Sequence, residues 1–169
     1  MPENEQCIWS RTGCYTWREV YDQSNRYSQF FLSQGVEKGT LVGFYLTNTP
    51  EFMFAWLGTW GIGTAPAMIN YHLTGEALIH CVKLSGTKIL IVDWDEECVA
   101  RIESARKQLE EELGIKIIIL DEPTKAMINS SEPKRPGDEY RKGMLPTFPM
   151  ALIYTRYISR VIKTGRKQG

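Results

Sequence analysis

The chain has 169 residues, 43% hydrophobic and 24% charged, with twenty Lys plus Arg balanced by twenty Asp plus Glu. That length fits one domain or a piece of a larger one, and a folded chain of this size buries roughly two-thirds of its unfolded surface. The balanced charge excludes the strongly basic or acidic classes that hold nucleic acid or polyanions, so no nucleic-acid partner is expected.

The first predicted element is a helix over Tyr15–Gln34. Thr16 is a good N-cap and Glu19, three residues on, completes a capping box. Val20, Tyr27, Phe30 and Phe31 recur at helical spacing, and Gly35 is the stop. Thr40–Leu46 is rich in β-formers and predicts a strand. Thr49 and Pro50 then open a second helix, because a proline in the first turn loses no hydrogen bond there. Met53, Phe54, Trp56, Leu57 and Trp60 make this helix apolar nearly all round, which predicts burial on several sides.

Phe52 to Gly75 contains no Asp, Glu, Lys or Arg. A run of that length can span a bilayer. Gly58, Gly61, Gly63, Pro66 and Asn70 divide it into helix, turn and strand, so the reading is buried core. Ala65–Ile69 is the second strand. Thr74 caps a third helix ending at Gly86, Lys88–Asp93 is the third strand, and a helix from Glu96 to Leu113 stops at Gly114. Ile115–Leu120 is the fourth strand. Glu122–Pro149, rich in proline and glycine, predicts a long, mostly irregular loop. Ala151–Thr155 predicts a fifth short strand. Residues 156–169 form a basic tail with Arg156, Arg160, Lys163, Arg166 and Lys167 and no acid.

Strands and helices alternate, and Lys88–Asp93 and Ile115–Asp121 are continuous apolar runs ending in aspartate. Such runs fit a parallel sheet covered on both faces. The predicted fold is therefore α/β, a partial doubly wound, mostly parallel sheet with crossover helices. Ligands of such sheets bind beyond the carboxyl ends of the strands.

The ordered set Gly35-Val36, Lys38-Gly39, Thr40–Leu46, Asn48-Thr49-Pro50-Glu51-Phe52, Met68-Ile69-Asn70, Ala77–Cys81 and Ser85–Lys88 resembles the first part of the AMP-forming adenylating enzymes. Phe52–Gly58 and Leu78–Cys81 are most similar to the branch of fatty-acid transport proteins and very-long-chain acyl-CoA synthetases. The resemblance covers roughly Cys7 to Thr155. It implies that residues 1–155 are the N-terminal part of an AMP-binding domain, with 156–169 a divergent tail. It also implies, for full-length members, ATP, Mg and coenzyme A as cofactors and a fatty acid as substrate. Location would be intracellular, on endoplasmic reticulum, peroxisome or lipid droplet if family-like and otherwise cytoplasmic.

The family's phosphate loop reads Tyr-Thr-Ser-Gly-Thr-Thr-Gly-x-Pro-Lys, where small residues let backbone N–H groups approach phosphate. Tyr154 and Thr155 match its start, and Thr155 is the remnant of a nucleotide contact in that reading. Arg156-Tyr157-Ile158-Ser159 then replace the glycine-rich turn. The chain is therefore expected to bind no cofactor and to catalyse nothing alone, as a truncated fatty acid–CoA ligase. A frameshift, a retained intron or alternative splicing produces a switch of this kind. The alternative is a non-catalytic isoform that docks on a partner or a membrane surface through the basic tail; a frayed terminus is the simpler account of that tail. Apolar faces without a partner would favour self-association.

Other residues carry weaker signals. Asp93 and Asp121 end strands, where helix capping or solvation is the simpler role. Asn70 and His72 read as a surface turn. His72 and His80 are eight residues apart, outside metal-pair spacing. Trp56 and Trp60 read as core. Cys7, Cys14, Cys81 and Cys98 form no CxxC pair and read as free thiols.

Overall fold

The computed structural model describes residues 3–140 and Lys142. Two short strands, β1 (Gln6–Trp9) and β2 (Cys14–Thr16), open the chain as an antiparallel hairpin. The Ser10 hydroxyl closes its turn on the Gly13 carbonyl at 2.8 Å. This hairpin precedes what the sequence reads as the first element. Its strands are too short to show a period-2 pattern.

Helix α1 (Trp17–Ser33) starts as its sequence dictates. The Thr16 hydroxyl accepts from the Glu19 amide at 3.3 Å, and the Glu19 carboxylate accepts from the Thr16 amide at 2.7 Å. Strand β3 (Leu41–Tyr45) leads into α2 (Pro50–Gly61), β4 (Ala65–Met68) and α3 (Gly75–Ser85). Then follow β5 (Ile89–Val92), α4 (Glu96–Lys107) and β6 (Lys116–Ile119). The predicted helix over Glu96–Leu113 is continued past α4 by a wider π-turn over Gln108–Glu112.

The four later strands form one parallel sheet in the order β4-β3-β5-β6. Alternation sends Val42, Phe44, Ile89 and Ile91 to one face, where they pack with α1, α2 and Ile128. Tyr45, Leu90 and Val92 go to the other, against Leu78 and Val82 of α3 and Cys98 and Ile102 of α4. The sheet is thus covered on both faces, as its continuous apolar strands require. The chain moves from β3 to β4 on one side and then to β5 on the other, so the connections reverse between β3 and β5.

The segment from Phe52 to Gly75 is helix, turn, strand and turn, as predicted. Among the described residues no helix is long and apolar enough to cross a membrane.

The predicted irregular loop over 122–149 is corrected in its first part. Glu122–Ser130 is a helix, α5. Pro123 lies in its first turn, where the missing N–H breaks nothing, and Asp121 caps it. From Ser131 the chain runs back across α1 without regular structure, apart from one 3-10 turn at Asp138–Tyr140. Side chains lash this strap down. Arg26 Nη1 donates to the carbonyl oxygens of Asn129 and Ser131, Gln29 Nε2 to Lys134 O, and Lys38 Nζ to Glu139 O and Lys142 O. The predicted strand Ala151–Thr155 and the tail 156–169 lie outside the described residues.

Candidate functional site

In a doubly wound sheet the place to look is the carboxyl end of the strands where the connections reverse, here between β3 and β5. Leu46 and Thr47 leave β3 there, and Asp93 leaves β5. The Asp93 carboxylate accepts from the Thr47 amide at 3.0 Å and from the Thr47 hydroxyl through the same oxygen. The Asp93 amide donates to Tyr45 O at 3.1 Å. Asp93 therefore neither caps a helix nor stands free in solvent, the two roles expected of it. It fastens the β3–α2 loop over the switch point.

Helix capping at this position falls to Asp95, whose Oδ1 accepts from the amides of Glu97 and Cys98, both at 3.1 Å. Asp121 does cap, accepting from the Thr124 amide at 2.9 Å. The Thr124 hydroxyl and amide hold the Asp121 carboxyl below its ordinary range.

The loop after β4 is fastened in the same manner. Tyr45 OH donates to Leu73 O at 2.7 Å, and Arg101 Nη1 donates to Tyr71 O at 3.0 Å. Asn70 Oδ1 accepts from the His72 amide at 3.0 Å, the surface turn expected there. The His72 ring lies against Tyr71, 4.2 Å between centroids. His80 is exposed on α3. Among the described residues no three of His, Cys, Asp or Glu cluster as metal ligands.

The cysteines are free. Burial, and then the neighbouring charges of Asp95 and Asp93, push the Cys98 thiol up to about 11. It stays protonated at neutral pH and is a poor nucleophile.

The aromatic side chains of α2 form a ladder that the sequence reads wholly as core. Phe44, Phe52, Trp56 and Trp60 meet edge to face with centroids 6.1, 5.7 and 5.7 Å apart. Trp56 packs against the core, and its buried indole N–H has no partner among the described residues. Trp60 departs from the expectation at 41% exposure. The helix is apolar all round, yet its outer side is left uncovered among the described residues.

Thr155, together with Tyr154 and Arg156, lies outside the described residues. In sequence, Arg156, Tyr157 and Ile158 stand where the resembled phosphate loop has small residues that let bare backbone approach phosphate.

Sequence reasoning found Asp93 but not its partner Thr47, and missed Tyr45 and Arg101. All three act through tertiary hydrogen bonds that no local pattern announces.

Comparison with known proteins completes the description. The sequence profile of the family described as AMP-binding enzyme matches residues 1–155. Isopenicillin N epimerase component 1 of Hapsidospora chrysogena is 43% identical over 115 residues, which is 68% of this chain and 19% of that protein. A very long-chain fatty acid transport protein of Saccharomyces cerevisiae is 30% identical over 148 residues, 83% of this chain and 22% of that protein. The chain thus spans about a fifth of the length of these relatives. Among solved structures, the N-terminal domain of FACL13 from Mycobacterium tuberculosis superposes with a TM-score of 0.72 at 20% identity, over 79% of this chain and 34% of that one. The anthranilate CoA ligase AuaEII superposes with a TM-score of 0.69 at 20% identity, over 78% and 25%. These two likenesses establish the fold.

Proposed function

The chain belongs to the AMP-binding enzyme family, and from this we infer that it is the N-terminal portion of a long- or very-long-chain fatty acid–CoA ligase, without ligase activity of its own. The family's acyl-CoA ligases use ATP and coenzyme A. In the full-length protein the acid would be activated as an acyl-adenylate with release of pyrophosphate, and coenzyme A would then displace AMP.

One observation carries the inactivity. The match to the family runs through Tyr154-Thr155 and stops where the phosphate cradle should follow. Thr155 is then a remnant with no neighbouring glycine backbone to complete a site. Within the described residues the carboxyl-end crevice is bridged by Thr47 and Asp93, which supports a scaffold rather than a catalytic centre. Incubation of the purified chain with palmitate, MgATP and coenzyme A, followed by mass spectrometry of the thioester, tests this. No palmitoyl-CoA is expected, and turnover proportional to protein would overturn the reading.

A second reading has its own support in the exposed aromatics. Trp9 is 76% exposed, Trp94 52% and Trp60 41%. Exposed apolar side chains signal a docking surface where they form a contiguous patch. On this reading the chain is a non-catalytic isoform docking on a partner or peripherally on a membrane. Sedimentation with anionic liposomes, with and without residues 156–169, tests it. Loss of binding with the tail supports the reading, and absence of binding by the whole chain excludes the membrane.

A further inference from the structure

Among the described residues, β4 is an edge of the sheet, paired with β3 on one side only. Ile69 N donates to Phe44 O at 2.9 Å. By alternation along the ladder, Ala65 and Ala67 also turn their backbone groups to β3, and Pro66 and Met68 turn theirs outward. Pro66 blunts the amino half of this edge, because it has no N–H to offer. The carboxyl half is left open, and Met68 is 41% exposed there. The strand carries no charge, whereas the opposite edge strand, β6, begins with the exposed Lys116.

The path of the chain says what reaches the β4 edge. Helix α2 lies on one face of the sheet and carries the chain from β3 outward to β4. Helices α3 and α4 lie on the other face and carry it the opposite way, to β5 and then β6. The three crossovers therefore share one hand, as parallel connections do. Helix α5 follows β6 on the α2 face, where Ile128 joins the α1–α2 cluster. A crossover of the same hand on that face leads back toward β4. Since β5 and β3 have neighbours on both sides, the first place for another strand is the outer edge of β4.

The strap runs that way. It crosses α1 at Arg26 and Gln29 and sets Pro136 beside Gly61. It then brings Tyr140 O against Gly63, so close that a side chain on Gly63 would collide with it. Gly63 lies just ahead of β4, so the chain arrives at the amino end of the edge strand. Residues 141–150 separate this point from the uncharged, β-rich run Ala151–Thr155. That interval can reach at most roughly 35 Å, ample for a turn into the sheet.

We propose that Ala151–Thr155 adds to the outer edge of β4 as a fifth, parallel strand, bonded to Pro66 O and to the N–H and C=O of Met68. A parallel neighbour at this place takes two carbonyls and one N–H from β4, and Pro66 removes none of them. The added strand covers Met68 and leads the chain past Thr155 at the carboxyl end of the sheet. The basic segment 156–169 then begins at that end. The inference does not depend on the ligase reading.

The test is NMR on the isotope-labelled full chain. Cross-strand NOEs from residues 151–155 to the Met68 amide are expected, and they should be absent from intermolecular-filtered spectra of labelled mixed with unlabelled chain. Ile153→Pro should speed exchange of the Met68 amide by roughly five- to tenfold, the worth of one hydrogen bond. The Gly43 amide, which donates to Thr87 Oγ1 at 2.8 Å, should be unaffected. If the variant unfolds, the NOEs of the wild-type chain decide alone. NOEs from 151–155 to Ile117 or Ile119 of β6, NOEs to β4 only between chains, or no NOEs to β4 would each overturn the proposal.

Discussion

The Asp93 carboxylate and Thr47 are joined twice, through the Thr47 amide at 3.0 Å and through its hydroxyl. The pair bridges the ends of β3 and β5, the two strands between which the direction of the sheet's connections reverses. A position that often receives a ligand is here satisfied from within the chain.

Removing the acid should therefore cost more than removing the hydroxyl. Asp93→Ala leaves both Thr47 donors without their acceptor and should destabilise the chain by about 1–3 kcal/mol. Thr47→Val keeps the amide bond and should cost less. Urea denaturation of the three proteins gives the order directly.

The α1–α2 contact depends on a missing side chain. A Cβ on Gly58 would lie 2.7 Å from Tyr27 Cβ and 3.0 Å from Ser24 O. The Ser28 N atom would lie 3.2 Å from that Cβ, and Ser28 Oγ donates to Gly58 O at 2.8 Å, so α2 lies directly on the α1 backbone here. Gly58→Ala gains about 1 kcal/mol of helix propensity. It should still destabilise, because overpacking a tight contact costs about 1–3 kcal/mol. A lower urea midpoint than wild type is the expected result.

Stability should fall in acid partly through Asp121. Its folded carboxyl lies below its unfolded value because Thr124 hydrogen-bonds the charged form. The contribution is present above the unfolded carboxylate pKa and is lost as pH falls through the folded one. Asp121→Ala should cost about 1 kcal/mol at neutral pH, the typical worth of an N-cap. The gap between variant and wild type should close at low pH. Urea midpoints measured from pH 7 down to pH 3 would show it.

Thiol reactivity should separate the cysteines. Cys14 is exposed, whereas Cys98 is buried with its thiol pushed up to about 11. At pH 8, Ellman's reagent should label Cys14 rapidly and Cys98 only after denaturant is added. Peptide mapping after a short exposure distinguishes them.

Local chemistry made much of this fold legible. The Thr16–Glu19 capping box, the Gly86 stop in left-handed geometry and the apolar runs Ile89–Val92 and Lys116–Ile119 each depend on neighbouring residues. They could be read as such. Thr49 and Thr74 stand at helix N-caps as expected, although neither hydroxyl makes a capping bond. What escaped depends on distance along the chain. β1 and β2 are short strands recognisable only as a pair, and the prolines around α5 masked a helix that Asp121 starts. Trp60 looked like core because its helix is apolar on every side, and only the packed structure shows which side stays uncovered. The Thr47–Asp93 bridge joins residues 46 positions apart. Thr155 rests on resemblance alone.

The central claim is that this chain carries the scaffold of an AMP-binding enzyme without a working nucleotide site. ATP–pyrophosphate exchange by the purified chain, driven by long-chain fatty acids, tests it most directly. The account predicts no exchange above the acid-free background. Exchange that requires both the fatty acid and the folded chain would contradict it.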